Sequence, residues 1–235
     1  MALRAERLPV QSDEDSKGGE AYLACGGALL VKFVRNDILR VFNVTDNCGR
    51  GNNCRDFMSY LDAGRGYNAV VVNSGAHYVE DSAYVAAMTT VADAVSERMK
   101  EAHPDSSFML FRNTVPGSPD CDSFALSAPL ELEEAERRVA SYTKWYHWQD
   151  NKRQNELVEP IFAARGFLLL DAYTPTVRRF DSHQGGDCLH YCESLPASRR
   201  VPPFLFAITP CCLPCLPPSA PYKIRALHFL CASST

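Results

Sequence analysis

Hydrophobic residues along the chain gather into short continuous runs and a few helical stripes, separated by polar breaks. Residues 28–34 and 38–44 are apolar and β-branched, with Arg35, Asn36 and Asp37 between them, and predict one or two strands. Residues 67–74 (Y-N-A-V-V-V-N-S) form a continuous apolar run that ends in polar residues and Gly75, the pattern of a buried parallel strand where it leaves its sheet. A helix follows: Val85, Met88, Ala92, Val95 and Met99 recur at spacings of three and four, Asp81 or Ser82 is placed to cap it, and His103-Pro104 stops it. Residues 107–112 predict a second buried strand and 113–127 a loop. Residues 130–146 and 147–164 predict one or two helices, with Pro160 kinking or shortening the second, and Gly166 ends them. Residues 167–171 (F-L-L-L-D) predict a third buried strand, which closes on a carboxylate.

Alternating strands and helices imply right-handed crossovers and a parallel sheet covered on both faces, an α/β domain. Ligands bind such sheets beyond the carboxyl ends of the strands. That rule singles out residues 73–77, Arg112, Asn113 and the segment after Asp171 as one candidate site before any motif is considered.

The flanks differ from this core. Residues 1–21 are polar and without apolar period, and read as a flexible leader. Residues 22–193 read as the ordered domain. Residues 194–235 are rich in proline, carry the cluster C-C-L-P-C-L-P-P, and read as a poorly ordered tail. Two accounts of that tail stay open: a metal-binding segment, though three crowded cysteines lack a second ligand pair, or a translated intron or frame error.

Composition narrows the function. The chain has 235 residues, 46% hydrophobic and 22% charged, enough for a packed domain. A formal charge of -4 offers no broad positive field, which argues against a nucleic-acid partner. No apolar run reaches the ~18 residues of a membrane span, and the charged N-terminus has no signal-peptide core. Ten cysteines and one sequon at Asn43, Val44 and Thr45 suit an oxidising lumen instead. Two resolutions stay open: a cytosolic protein with free thiols, or a chain whose targeting segment lies outside this sequence.

The strongest local signal is G-D-C-L-H-Y-C, ending at Cys192. An Asp three residues before a His, on a helical turn or tight loop, places both side chains on one side, so Asp187 can orient His190 as it takes a proton. On spacing alone the pair also reads as a surface ion pair. A zinc site made by His183, Cys188, His190 and Cys192 is disfavoured by its tight C-x-H-x-C spacing. Trp145, Tyr146, His147 and Trp148 suit either stacking on a sugar or, more commonly, packing of a helix face on the sheet.

Several blocks in order favour function for the Asp-His pair. The D-C-L-H-Y-C run resembles the D-C-x-H-W-C signature of the PC-esterase family, which includes the trichome-birefringence-like polysaccharide O-acetyltransferases of the SGNH/GDSL superfamily. Asn73-Ser74-Gly75-Ala76-His77-Tyr78 resembles its N-x-G-H-W block with one residue more before the His. Phe111-Arg112, with Cys121 downstream, resembles its F-R segment, and Arg179-Phe180-Asp181-Ser182-His183 resembles its R-x-D-x-H. More weakly, residues 33–37 are compatible with its second strand. Single blocks of this kind are weak; four in order carry more weight.

The resemblance implies a three-layer α/β/α, flavodoxin-like domain acting as a carbohydrate O-acetyltransferase or acetylesterase. His190 would be the general base and Asp187 its orienter. Asn73 and the backbone at Gly75 would stabilise an oxyanion, with His77 and Arg112 lining the substrate end. It implies disulfides at Cys121, Cys188 and Cys192, a carbohydrate acceptor and an acyl donor as partners, no cofactor or metal, and a secretory or Golgi setting. The family's nucleophile is the Ser of a Gly-Asp-Ser block on the first strand; no such tripeptide precedes Phe33, so no nucleophile is assigned and the first strand is expected to be missing. Two alternatives follow: a glycan-binding remnant or truncated gene product without catalysis, and a cytosolic redox or zinc protein built on the cysteines.

Overall fold

The computed structural model describes residues 6–7, 19–24, 29–34, 38–39, 67–104, 107–119, 129–143, 147–184 and 187–191. The chain divides into two compact units, residues 1–35 with 190–235, and residues 36–189. These boundaries cut across the single ordered stretch 22–193 read from sequence.

In the first unit, β1 (Glu6–Arg7), β2 (Gly19–Ala24) and β3 (Leu29–Val34) form an antiparallel sheet in the order β1-β2-β3, with Tyr22 opposite Val31. β1 and the start of β2 fall within the 1–21 stretch read as a flexible leader. Polar composition reports the lack of a buried face, whereas strand pairing is made by backbone groups that every non-proline residue carries. β3 pairs antiparallel with β2 and is not a strand of the parallel sheet, unlike the second strand implied by the resemblance. Of the strand expected over 38–44, only residues 38–39 are described, and they are not in a strand. The sequon at Asn43 and the 194–235 tail lie outside the described residues.

The second unit is a mixed helix and strand fold around a parallel sheet of three strands. Its elements are β4 (Ala69–Val72), α1 (Asp81–Ala102), β5 (Phe108–Arg112), α2 (Leu132–Ala140), α3 (Asn151–Ala163), β6 (Leu168–Leu170), α4 (Tyr173–Val177), β7 (His183–Gln184) and β8 (Asp187–Tyr191), the last ending in the first unit. The parallel sheet has the order β4-β5-β6, with Val72 beside Phe111 and Phe111 beside Leu169.

Strand alternation decides which residues meet the helices. Val70, Val72, Met109 and Phe111 point one way into a core shared with Tyr84, Met88, Val91, Val95 and Met99 of α1 and Val158 and Phe162 of α3. Phe111 stacks on Phe162 with ring centroids 4.1 Å apart and 11° between planes. The opposite side is less covered than a doubly packed sheet requires: Val71 is 41%, Phe108 42% and Leu168 56% exposed. Among the described residues, therefore, helices cover one face of the sheet. A second core gathers Ala135 and Val139 of α2 with Trp148, Tyr173, Val177 and Phe180. Trp148 belongs there, 4% exposed and stacked on Tyr142 at 4.4 Å, so it packs against α2 rather than against the sheet and is not open to a sugar.

Two local expectations are corrected. The N-cap of α1 is Glu80, without a side-chain cap bond, while Asp81 is the first helical residue and pairs with Arg153 of α3. That ion pair takes the carboxylate that was expected to cap. The second correction is that α3 runs through Pro160 to Ala163 and is not shortened there.

Candidate functional site

At the carboxyl ends of β4, β5 and β6 the chain builds a dense polar cluster. Asn73 follows β4, and its Nδ2 donates to the Arg112 carbonyl at 2.8 Å and to Thr114 Oγ1 at 3.2 Å. Arg112 Nη1 donates to Asn73 Oδ1 at 3.3 Å. Strand alternation puts Arg112 on the side of the sheet away from Phe111, and so away from α1 and α3. Both amide hydrogens of Asn73 are thereby committed, so this side chain works as a clamp between strands; the remaining donor capacity lies on Arg112.

Next to the clamp, the Ser74 carbonyl accepts from Thr114 Oγ1 at 2.9 Å and from the Tyr84 hydroxyl. Burial lifts the Tyr84 phenol above its ordinary range, so it remains a donor at neutral pH. Gly75 is required by this closeness: a Cβ there would meet Thr114 Oγ1 at 2.4 Å. The turn continues through half-buried His77, and the Tyr78 N–H donates to the Gly75 carbonyl at 3.1 Å.

Helix α3 holds both loops with a stripe of buried amides. Asn155 pairs with the Thr114 backbone at both ends, accepting its N–H at 2.8 Å and donating to its carbonyl at 2.8 Å. Gln154 donates to the Tyr78 carbonyl at 2.9 Å, and Asn151 to the Val115 carbonyl at 3.3 Å. On the β6 side, Asn113 Nδ2 donates to Glu159 at 3.0 Å and to Asp171 at 3.1 Å, while its Oδ1 accepts the N–H groups of Ala172 and Tyr173, each at 2.8 Å. Burial by itself would raise the Asp171 carboxyl, but bonds from Thr174, Asn113 and the Tyr173 N–H outweigh it and hold the group below the ordinary carboxylate range.

Electrostatically the cluster centres on Arg112. It is 7% exposed, and burial pulls its guanidinium down to about 10, still protonated at neutral pH.

The loop after β5 reaches toward β8. Ser118 N–H donates to the Cys188 carbonyl at 2.7 Å. Gly117 lies so close that a Cβ would meet the Trp148 ring at 2.3 Å and the Cys188 carbonyl at 2.5 Å. Cys188 is in a disulfide, so its sulfur is not a thiolate available to zinc. The chain's other cysteines, Cys121 and Cys192 among them, lie outside the described residues.

Thus the structure brings together Asn73, Gly75 and Arg112, with His77 in the adjoining turn. Asp187 and His190 lie on β8, a strand and not the helical turn or tight loop of the sequence argument; a three-residue spacing shares a face on a helix, not on a strand. Their side chains lie outside the description. Arg179 and Asp181 of the R-x-D-x-H block form a buried bidentate pair, Nε to Oδ1 at 2.8 Å and Nη2 to Oδ2 at 3.2 Å, which braces the chain just before β7.

Sequence reasoning missed Asn151, Gln154 and Asn155. The signal was present: they share a helical stripe with Val158 and Phe162, at offsets of 3, 4, 7 and 11 from Asn151, so the apolar face of α3 runs into amides. Among the described residues no group of three or more His, Cys, Asp or Glu side chains is placed to hold a metal ion, and no helix is long and apolar enough to cross a membrane. Compared with protein-family models, curated proteins and solved structures, the chain matches none.

Proposed function

We propose that this chain is a carbohydrate O-acetyltransferase-like or acetylesterase-like protein of the PC-esterase branch, its parallel sheet part of a flavodoxin-like three-layer domain. The observation that carries the reading is the clamp at the sheet's carboxyl edge, where the Asn73 carboxamide holds Arg112 and Thr114. Two of the blocks that resemble the family meet at this point, in the place where ligands bind parallel sheets. A third is tied to the same loop by the bond from Ser118 to Cys188.

In this reading His190 takes a proton from the attacking hydroxyl and returns it to the leaving oxygen, while Asp187 stabilises the imidazolium. Negative charge developing on the acetyl carbonyl oxygen is met by the Arg112 cation and by backbone N–H groups at the Gly75 turn. The acceptor is a sugar hydroxyl or water. With the Asn73 amide committed to Arg112 and Thr114, its role is to position Arg112 rather than to donate to substrate.

Glycan binding without turnover is the second reading, and a specific observation favours it: the chain contains no Gly-Asp-Ser tripeptide. One experiment separates the two. Acetate release from an acetylated oligosaccharide and from a chromogenic acetyl ester is measured for the wild type and His190→Ala, with circular dichroism as the check on folding. Release that falls by about 10²-fold or more in the variant supports catalysis through His190. Equal background in both, together with saturable oligosaccharide binding, would instead support the binding reading.

A further inference from the structure

Arg112 is unusual among the described arginine side chains. The other described arginine side chains each reach a carboxylate: Arg98 reaches Glu101, Arg137 and Arg138 reach Glu134, Arg153 reaches Asp81 and Asp150, Arg165 reaches Asp93, Arg178 reaches Glu131 and Arg179 reaches Asp181. Most of those sit in partial contact with water. Arg112, only 7% exposed, has no carboxylate partner among the described residues.

A buried cation without a counter-charge destabilises a fold, because the hydration it gives up is not replaced. Among the described residues the one bond that the Arg112 guanidinium donates goes to a neutral amide oxygen, Asn73 Oδ1, at 3.3 Å through Nη1. Its Nε is buried with no acceptor, and Nη2 meets none among the described residues. The Nε and Nη2 hydrogens lie parallel on one edge of the guanidinium, the edge that a carboxylate engages with both oxygens. Asn73 fixes the opposite side of the plane, so this edge is pre-oriented. Arg112 also ends β5 on the side of the sheet away from α1 and α3, at the carboxyl edge where ligands of parallel sheets bind.

We infer that the Nε–Nη2 edge of Arg112, held by Asn73, is a binding site for a small carboxylate, with acetate its ligand. The carboxylate chemistry follows from the arginine alone. The choice of acetate rests on the proposed function, in which acetate is the product of hydrolysis; the other source of the same group is the carboxylate of a uronic acid in the acceptor sugar.

The test is a titration of the purified full chain with sodium acetate, sodium glucuronate and sodium chloride at constant ionic strength, followed by calorimetry and by thermal unfolding. For the wild type, acetate gives a saturable heat and raises Tm by about 3–6 °C at ten times its dissociation constant, whereas chloride does not. Arg112→Met removes both effects. Without added carboxylate Arg112→Met melts no lower than the wild type, because it removes an uncompensated charge. Saturation by glucuronate but not acetate keeps the carboxylate site and assigns it to the acceptor sugar. No saturation by either carboxylate overturns the inference, as does chloride binding equally well or undiminished acetate binding in Arg112→Met. Should the variant not fold, the buried arginine has a structural role the inference denies, and the inference falls. Acetate binding without ester turnover would remove the proposed function and leave the site, and turnover without acetate binding would do the reverse.

Discussion

Replacing Asn155 by Leu, of nearly the same shape, tests whether α3 holds the site loops through its amides. In the native chain Asn155 satisfies both the N–H and the carbonyl of Thr114 from a position 4% exposed. Leu offers neither partner, and two buried backbone groups are left without one. Each costs about 1–3 kcal/mol, so Asn155→Leu is expected to lose about 2–6 kcal/mol. At a urea dependence of about 2 kcal/mol/M, that moves the unfolding midpoint down by about 1–3 M. Fluorescence of Trp148, packed beside the helix in the second core, reports the transition, with circular dichroism as the second probe. Asn155→Asp supplies a control: its carboxylate still accepts the Thr114 N–H but repels the Thr114 carbonyl, and protonation restores a donor. Burial and that carbonyl raise the folded-state pKa of the new group, so its deficit is smallest below the ordinary carboxylate range and grows as pH rises through the folded value. A midpoint shift below about 0.25 M for Asn155→Leu, or an Asn155→Asp variant equally stable at both ends of that range, would refute the reasoning.

Two further predictions rest on the same cluster. Gly75→Ala forces a methyl group to within 2.4 Å of Thr114 Oγ1 and displaces the hydroxyl that bonds the Ser74 carbonyl, costing about 1–3 kcal/mol of overpacking in a urea melt; an unchanged melt would show that the turn has room. Asp171, whose carboxyl is held low in the folded state, contributes stability that is fully present above the ordinary carboxylate range near pH 4 and is lost as pH falls below it. Asp171→Asn should therefore flatten the loss of stability on acidification below about pH 4, and an unaltered acid limb would count against the assigned bonds.

The sequence made the parallel core legible because β4 and β5 are buried on the helix side and α1 is amphipathic: residues 67–74, 107–112 and 167–171 contain β4, β5 and β6, and the stripe from Val85 to Met99 lies in α1, but β6, expected to be buried, forms the sheet edge with Leu168 and Leu169 exposed. The rule that ligands lie beyond carboxyl strand ends also brought out Asn73, Arg112 and Asn113; Asn73 and Arg112 do bond each other, and Asn113, next in the chain, bonds Glu159, Asp171 and the start of α4. What stayed hidden followed from chemistry that periodicity does not report. Asn151, Gln154 and Asn155 resemble a solvated helix start until their stripe is continued into Val158 and Phe162. In the first unit β3 lies within the apolar run 28–34 and was legible, whereas β1 (Glu6–Arg7) and the polar start of β2 are paired through their backbone and carry no apolar pattern to mark them. Asp187 and His190 were read on a helical turn because the i, i+3 spacing has meaning there; the strand from Asp187 to Tyr191 removes that local argument and leaves the ordered motif blocks to support the pair.

Where the imidazole of His190 stands in a crystal of the acetate-soaked chain is the decisive observation. The proposed function predicts that the ring turns toward acetate held on the Arg112 edge. A ring turned to another side of the molecule, with the clamp facing a crevice that contains no general base, would contradict it.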